Sequence, residues 1–376
     1  MSYFDELLEG VEIHWKPLGE FAELNRGKTI TAKTKSEGNI PVISGGQTPA
    51  YYNSEFNRNG ETITVAGSGA YAGFVMYWNE PIFVSDAFSV KPDLTILNTR
   101  YVFHFLLSNQ TWIHNLQKGS GVPHVYPKDL AKLQIPIPCP DNPEKSLEIQ
   151  KEIVRILDTF TELTAELTAE LTARKKQYNY YCDLLLNFDE KDVEWKPLGC
   201  LAGNLDSKRK PVTSGLRETG NIPYYGASGI VDYVKDYIFD GDYLLISEDG
   251  ANLVARNTPI AFSISGKSWV NNHAHVLEFT TYAERRFVEY YLNNIDLTPY
   301  ISGAAQPKLN QKNLNNIRIP VPSPEEQERI VAILDKFDTL TASISTGLPR
   351  EIELRQKQYE YYRDMLLTFS KDNLKA

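Results

Sequence analysis

Residues 148–188 read EIQKEIVRILDTFTELTAELTAELTARKKQYNYYCDLLLNF, a run without glycine or proline. Apolar side chains fall at Ile149, Ile153, Ile156, Phe160, Leu163, Leu167 and Leu171, then at Tyr178, Tyr181 and Leu185. Steps of three and four are the period of a helix that buries one stripe against another helix. Thr-Ala-Glu-Leu stands in tandem at Thr164–Leu167 and Thr168–Leu171. The leucines are therefore spaced by four, which is the stutter of a coiled coil. The run reads as a spacer helix whose length is set in units of one tetrapeptide.

Both halves of this helix recur later in the chain. IVRILDTFTELTA from Ile153 answers to IVAILDKFDTLTA from Ile330, and KQYNYYCDLLLNF from Lys176 to KQYEYYRDMLLTF from Lys357. Working outward, Trp15-Lys16-Pro17-Leu18-Gly19 recurs 180 residues later from Trp195, and Gly38-Asn39-Ile40-Pro41 recurs from Gly220. Ile135-Pro136-Ile137-Pro138 is matched by Ile319-Pro320-Val321-Pro322. Anchors in the same order define a duplicated unit of about 180 residues. The second helix departs from the first: it lacks the tandem repeat and carries Thr346-Gly347-Leu348-Pro349. It runs 29 positions from Ile330 to Tyr359, against 25 from Ile153 to Tyr178, and a break or bend is expected at Gly347.

Each part between the helices reads mainly as strand. ETITVAGSG, GFVMYW and PIFVSDAFSV in the first, and YLLIS, PIAFSIS and HAHVLEF in the second, are β-branched and aromatic runs bounded by turn residues. One helix is expected in each, Tyr101–Gln117 and Glu284–Asn294. The Ile-Pro-x-Pro segments cannot be helical and act as extended hinges before Pro143 and Pro324 start the long helices.

Length and composition set the frame: 376 residues predict two domains, and 42% hydrophobic content suffices for packed cores. No apolar run approaches a membrane span, and the acidic start MSYFDELLEG is unlike a signal peptide, so a cytoplasmic protein is expected. Cys139, Cys182 and Cys200 are too few for a disulfide framework. The net charge of -9 disfavours nucleic acid as a partner only as an average, so local clusters must decide.

The paired W-K-P-L-G starts, the G-N-I-P segments, the I-P-[IV]-P hinges, the repeated helix blocks and the tandem TAEL together resemble the specificity subunit of a Type I restriction-modification system, over nearly the whole chain. The resemblance implies an α+β architecture of two mainly-β target-recognition domains in pseudo-twofold repeat, separated by two long antiparallel coiled-coil helices. The expected segments are 1–142 and 191–323 for the recognition domains, 143–190 for the central spacer helix and 324–376 for the C-terminal one. It further implies a double-stranded DNA target with a split site, two docked methyltransferase subunits and restriction/translocase subunits. On that reading this chain holds no cofactor and no metal, while S-adenosylmethionine, ATP and Mg belong to the partners. Leu163, Leu167, Leu171, Tyr178, Tyr181, Tyr359 and Tyr362 are the residues expected to serve spacing and docking.

The residues themselves offer local basic clusters at matching places. Arg26, Lys28, Lys33 and Lys35 precede the first Gly-Asn-Ile-Pro, and Lys208, Arg209, Lys210 and Arg217 precede the second. Such side chains hold phosphates and set register. Polar and aromatic loops come next: Ser44, Gln47, Tyr51 and Tyr52 in the first repeat, Tyr224, Tyr225 and Ser228 in the second. Those residue types on glycine-bearing loops suit the reading of base edges. A further pair of loops precedes the hinges, with Lys118, His124 and Lys128, and with Gln306, Lys308 and Lys312.

Catalytic signatures fail. Gly67–Gly73 is followed by a strand-like run and reads as a tight turn, not a nucleotide loop. No adenine-methyltransferase box or Walker lysine loop occurs, His273 and His275 have no companion ligand at zinc spacing, and the acidic turn Ser247-Glu248-Asp249 could bind metal but has nothing near it in the sequence to support that. A self-contained methyltransferase or nuclease would need those motifs. A coiled-coil adaptor that binds no DNA would leave the duplicated basic loops unexplained. The expectation is a non-catalytic DNA-recognition subunit.

Overall fold

The computed structural model describes residues 10–30, 36–303, 306–343 and 345–369. Two compact units divide the chain: Met1–Thr168 with Glu351–Ala376, and Ala169–Arg350. The boundary at Thr168 falls inside one continuous helix, Pro143–Leu186, at the second Thr-Ala-Glu-Leu.

In unit 1 an antiparallel four-stranded sheet runs Ala22–Arg26, Ala87–Pro92, Glu61–Ala66, Val75–Asn79 in spatial order. A three-stranded sheet joins Tyr51–Asn53, Ile40–Ile43 and Phe83–Val84. In unit 2 the matching strands form one six-stranded sheet, with Gly203–Asn204 at one edge and the hairpin Thr219–Gly226 and Gly229–Val234 at the other. Each unit also has a two-stranded ribbon that pairs its Trp-Lys-Pro start with its Ile-Pro-x-Pro hinge, Trp15 opposite Pro136 and Trp195 opposite Pro320. Proline cannot donate to a ladder on both sides, so these segments stay out of the larger sheets. The Trp-Lys-Pro and Ile-Pro-x-Pro anchors of each repeat are thus strand partners.

The helix expected over Tyr101–Gln117 is two helices, Thr99–Ser108 and Gln110–His114. Asn109 breaks it: its side chain donates to the Phe105 carbonyl at 2.9 Å and to the Ser108 hydroxyl at 3.1 Å, a local alternative to the helical ladder. The second unit's helix, Tyr282–Asn294, begins two residues earlier than expected because Thr281 and Glu284 form a capping box. The last long segment is also two helices, Pro324–Ala342 and Leu348–Thr368, interrupted around Gly347 as its Gly-Leu-Pro suggests.

Within each unit, the first block of one repeat's long helix packs against the second block of the other's. In unit 1, Ile149, Ile153 and Leu157 share a core with Met365, Leu366 and Leu367, and Phe160 stacks on Tyr362 at 5.2 Å. In unit 2, Cys182 and Leu186 share a core with Ile330, Val331 and Leu334, and Tyr181 lies 5.3 Å from Phe337. The aspartate of each I-L-D-x-F block ties the globular part to this core. Asp158 accepts from His104 Nε2 at 2.7 Å and Arg100 Nε at 3.0 Å, while Tyr359 donates to His104 Nδ1 at 2.9 Å. Asp335 accepts from Arg286 Nε at 3.0 Å, Tyr282 at 2.8 Å and Tyr290 at 2.6 Å.

Replacing Asp335 by Ala removes one carboxylate from a largely buried Arg286 that keeps Glu289 at 2.6 Å and Asp338 at 3.0 Å, and it takes the acceptor from the Tyr282 and Tyr290 hydroxyls, so a loss of about 1–3 kcal/mol is expected in chemical denaturation. A loss below about 1 kcal/mol would reduce the cluster to an ordinary surface pair. In unit 1 the same joint should be acid-sensitive. Burial pushes the His104 pKa below its ordinary 6.5. Burial alone would raise Asp158, but hydrogen bonds from His104 and Arg100 outweigh it and hold the carboxyl below 3.8. Both folded-state values are depressed, so both contributions are present at neutral pH and are lost as pH falls, His104 from below 6.5 and Asp158 from below 3.8.

Candidate nucleic-acid interface

The loops singled out in the sequence converge at one place in each unit, through the same backbone hydrogen bonds. The Gly69 amide donates to the Pro123 carbonyl at 3.0 Å, as Gly250 does to Pro307 at 3.1 Å. Val125 donates to Gly67 at 3.1 Å, as Leu309 does to Glu248 at 2.7 Å. Lys118 and His124 exchange two bonds of 2.9 Å, and Ser302 and Lys308 two of 2.8 Å. Ser85 donates to Ile43, and Asn271 to Tyr225. Lys28 donates to Val84 at 3.0 Å, and Lys210 to Val270 at 3.2 Å, which keeps the two basic stretches in register. Gly69 and Gly250 both take the left-handed backbone, with φ of 88° and 108°, so the turn needs glycine in either unit. Gly67–Gly73 is therefore a turn that receives the pre-hinge loop.

In unit 1 these contacts frame a groove of about 480 Å³ lined by Arg26, Ser44, Asp86, His124, Tyr126 and neighbouring backbone. Tyr126 stacks near His124 at 6.1 Å, with the Arg26 guanidinium 5.8 Å and the Lys128 amine 6.0 Å from its ring. Lys28, Gln47, Tyr52 and Lys128 are exposed. Lys118 pairs with Asp129 at 2.6 Å and is still exposed. Tyr51 donates to the Ile30 carbonyl at 2.6 Å, so its hydroxyl holds the hairpin to the basic stretch. Lys33 and Lys35 lie outside the described residues.

Unit 2 divides its candidates more sharply. Lys208, Lys210, Ser228, Gln306 and Lys312 are exposed. Arg209 is taken up internally: it binds Glu248 at 2.6 Å, Asp206 at 3.2 Å and the Ala274 carbonyl at 2.8 Å. Arg217 pairs with Asp232 at 2.9 Å and lies 4.3 Å over the Tyr224 ring. Tyr224 is buried and its hydroxyl accepts from the Val212 amide at 2.9 Å, while Tyr225 packs on Phe262. Arg209, Arg217 and Tyr224 thus hold the loops in place, because their partners are already within the protein. Lys308 reaches Glu248 at 3.1 Å from an exposed position.

His275 is fully buried, 2.6 Å from Asp206 and 2.7 Å from the Leu309 carbonyl. Asp206, Glu248 and His275 are close enough to converge on a cation, but Arg209, Lys308 and the Leu309 carbonyl already engage them. Burial would raise both carboxyls; His275, the Val276 amide and Arg209 hold Asp206 below its ordinary value, and Arg209, His275 and Lys308 do so for Glu248. The network reads as a brace for Lys208 and Lys210.

On the long helices Leu163, Leu167 and Leu171 are half-buried. Tyr178 and Tyr181 face Phe337, Tyr359 meets His104, and Tyr362 meets Phe160, so these four tyrosines serve contacts inside the units. The outward residues are ones the sequence reading passed over, Tyr180 and Tyr361, matched in the repeat and 62% and 55% exposed. Their helical position, one residue off the apolar stripe, was the available signal.

Residues 11–174 and 191–354 each match the family model described as the Type I restriction modification DNA specificity domain. The chain is 37% identical to the specificity subunit of the Type I restriction enzyme EcoR124I/EcoR124II from Escherichia coli, over 99% of this chain and 98% of that one. It is 35% identical to the EcoprrI specificity subunit of Escherichia coli, over 92% of each. Among solved structures, the S subunit of a Type I restriction-modification system from M. genitalium aligns over 96% of both chains with a TM-score of 0.67 at 19% identity, a likeness of fold.

Proposed function

Because the chain belongs to the family of Type I restriction-modification DNA specificity subunits, we propose that it reads a target split into two half-sites, one per unit. Segments 1–142 and 191–323 are then the recognition domains. The observation that carries this reading is the duplicated loop cluster, which in each unit brings a basic stretch, a hairpin and a pre-hinge loop to one place. Lys28, Lys208 and Lys210 hold phosphates, and the hairpin loops enter the major groove. Differences between the hairpins support different half-sites: residues 44–50 link the first pair of strands, but only Ala227 and Ser228 stand between Gly226 and Gly229.

Chemistry belongs to the other subunits of the system. Two methyltransferase subunits using S-adenosylmethionine, and restriction subunits using ATP and Mg, supply it in this reading. The matched exposure of Tyr180 and Tyr361 supports a docking surface for two copies of one partner. Among the described residues no helix is long and apolar enough to cross a membrane, which suits a cytoplasmic DNA target.

Salt dependence tests the interface. Replacing Lys28, Lys208 and Lys210 by Ala should weaken binding to all sequences alike and flatten the salt slope by roughly one unit per lost phosphate contact. Unchanged affinity and slope would make these lysines solvated surface. Arg209→Ala should instead destabilise unit 2.

A further inference from the structure

Asp86 and His273 occupy one matched position in the two units. Asp86 immediately precedes the strand Ala87–Pro92, and His273 immediately precedes Ala274–Glu278. Each is held by the tip of the matched turn. The Ser68 hydroxyl donates to Asp86 Oδ2, and the Asp249 carboxylate lies 2.9 Å from His273 Nδ1. Ser68 and Asp249 are equivalent, since they bridge to His124 and Lys308 in turn. The two units therefore build the same device, a surface side chain steadied by a turn residue, with different chemistry at its end.

Asp86 is exposed and lines the unit 1 groove beside Arg26, Ser44, His124 and Tyr126. A carboxylate in a groove that receives a polyanion is repelled unless it meets an N–H donor. In the major groove the bases offer such donors only at cytosine N4 and adenine N6; guanine O6 and N7 and thymine O4 are acceptors. Ser68 fixes one carboxylate oxygen, and the other, Oδ1, has no protein donor among the described residues. We propose that Asp86 is a specificity-determining residue that accepts a hydrogen bond from the exocyclic amino group of a cytosine or adenine in the first half-site, and that His273 reads the matched position of the second. This rests on the DNA-recognition reading above.

The test maps methylated sequences produced by the full chain with its methyltransferase partner. Wild type should leave a bipartite motif; the absence of one would contradict the recognition reading itself, independently of Asp86. With Asp86→Asn, one position of the first half-site, restricted to cytosine or adenine in wild type, should relax by about tenfold while the second half-site is unchanged. Ser68→Ala, which frees the carboxylate without removing it, should relax the same position more weakly. On synthetic duplexes, 2-pyrimidinone for cytosine or unsubstituted purine for adenine at that position should lower wild-type affinity about tenfold and leave Asp86→Ala indifferent. An Asp86→Asn map identical to wild type, a change confined to the second half-site, or equal sensitivity of wild type and Asp86→Ala to the missing amino group would overturn the assignment.

Discussion

Deleting one Thr-Ala-Glu-Leu unit, Thr164–Leu167, is expected to shorten the unspecified spacer between the half-sites by one base pair while both half-site sequences stay the same. The deletion removes ~6 Å of helix and rotates everything beyond it by ~40°. A base pair of B-DNA advances ~3.4 Å and turns ~35°. Rotation matches one pair and translation lies between one and two. A recognition domain must meet its groove on the correct face, so rotation decides, with two pairs as the outer limit.

The helix can bear the change. It is continuous from Pro143 to Leu186 and passes from one unit to the other at Thr168. Its leucine stripe survives, because removing four residues removes only the stutter. The other crossing between units, at Arg350 and Glu351, lies in the first turn of the helix Leu348–Thr368. An unchanged spacer in methylation maps would contradict the ruler, and loss of methyltransferase binding would reassign the tetrapeptides to docking.

The second large effect concerns the first hairpin. Exchanging residues 44–50 for the loop of another specificity subunit should rewrite one half-site and leave the other intact. The exchange stops at Ala50 because the next residues are structural: Tyr51 is tied to Ile30, and buried Asn53 accepts from the Ser36 amide and hydroxyl. Within 44–50, Gln47 is exposed and Ser44 lines the groove. A map altered in both halves, or in neither, would take this loop out of base readout.

The duplication and the long helix were legible because both are written in local pattern: the three-and-four spacing of the apolar residues, the tetrapeptide, and segments that repeat in order. The register of the basic stretches was legible too, since Lys28 and Lys210 take matching backbone bonds. The partner of each charge was not. Arg209 reads as basic as Lys208, but Glu248 and Ala274, far along the chain, fold onto it. Asp158 and Asp335 sat in plain view inside the repeated block, and their joints to His104 and Arg286 required the globular helices to be placed. Asp86 carried no signal, as a lone acidic residue beside a strand has no pattern to detect.

The most direct measurement is a map of methylated adenines on DNA exposed to this chain with its methyltransferase subunit. Two short specific sequences separated by a gap of fixed length and free sequence are expected. A continuous motif, or methylation without sequence preference, would contradict that.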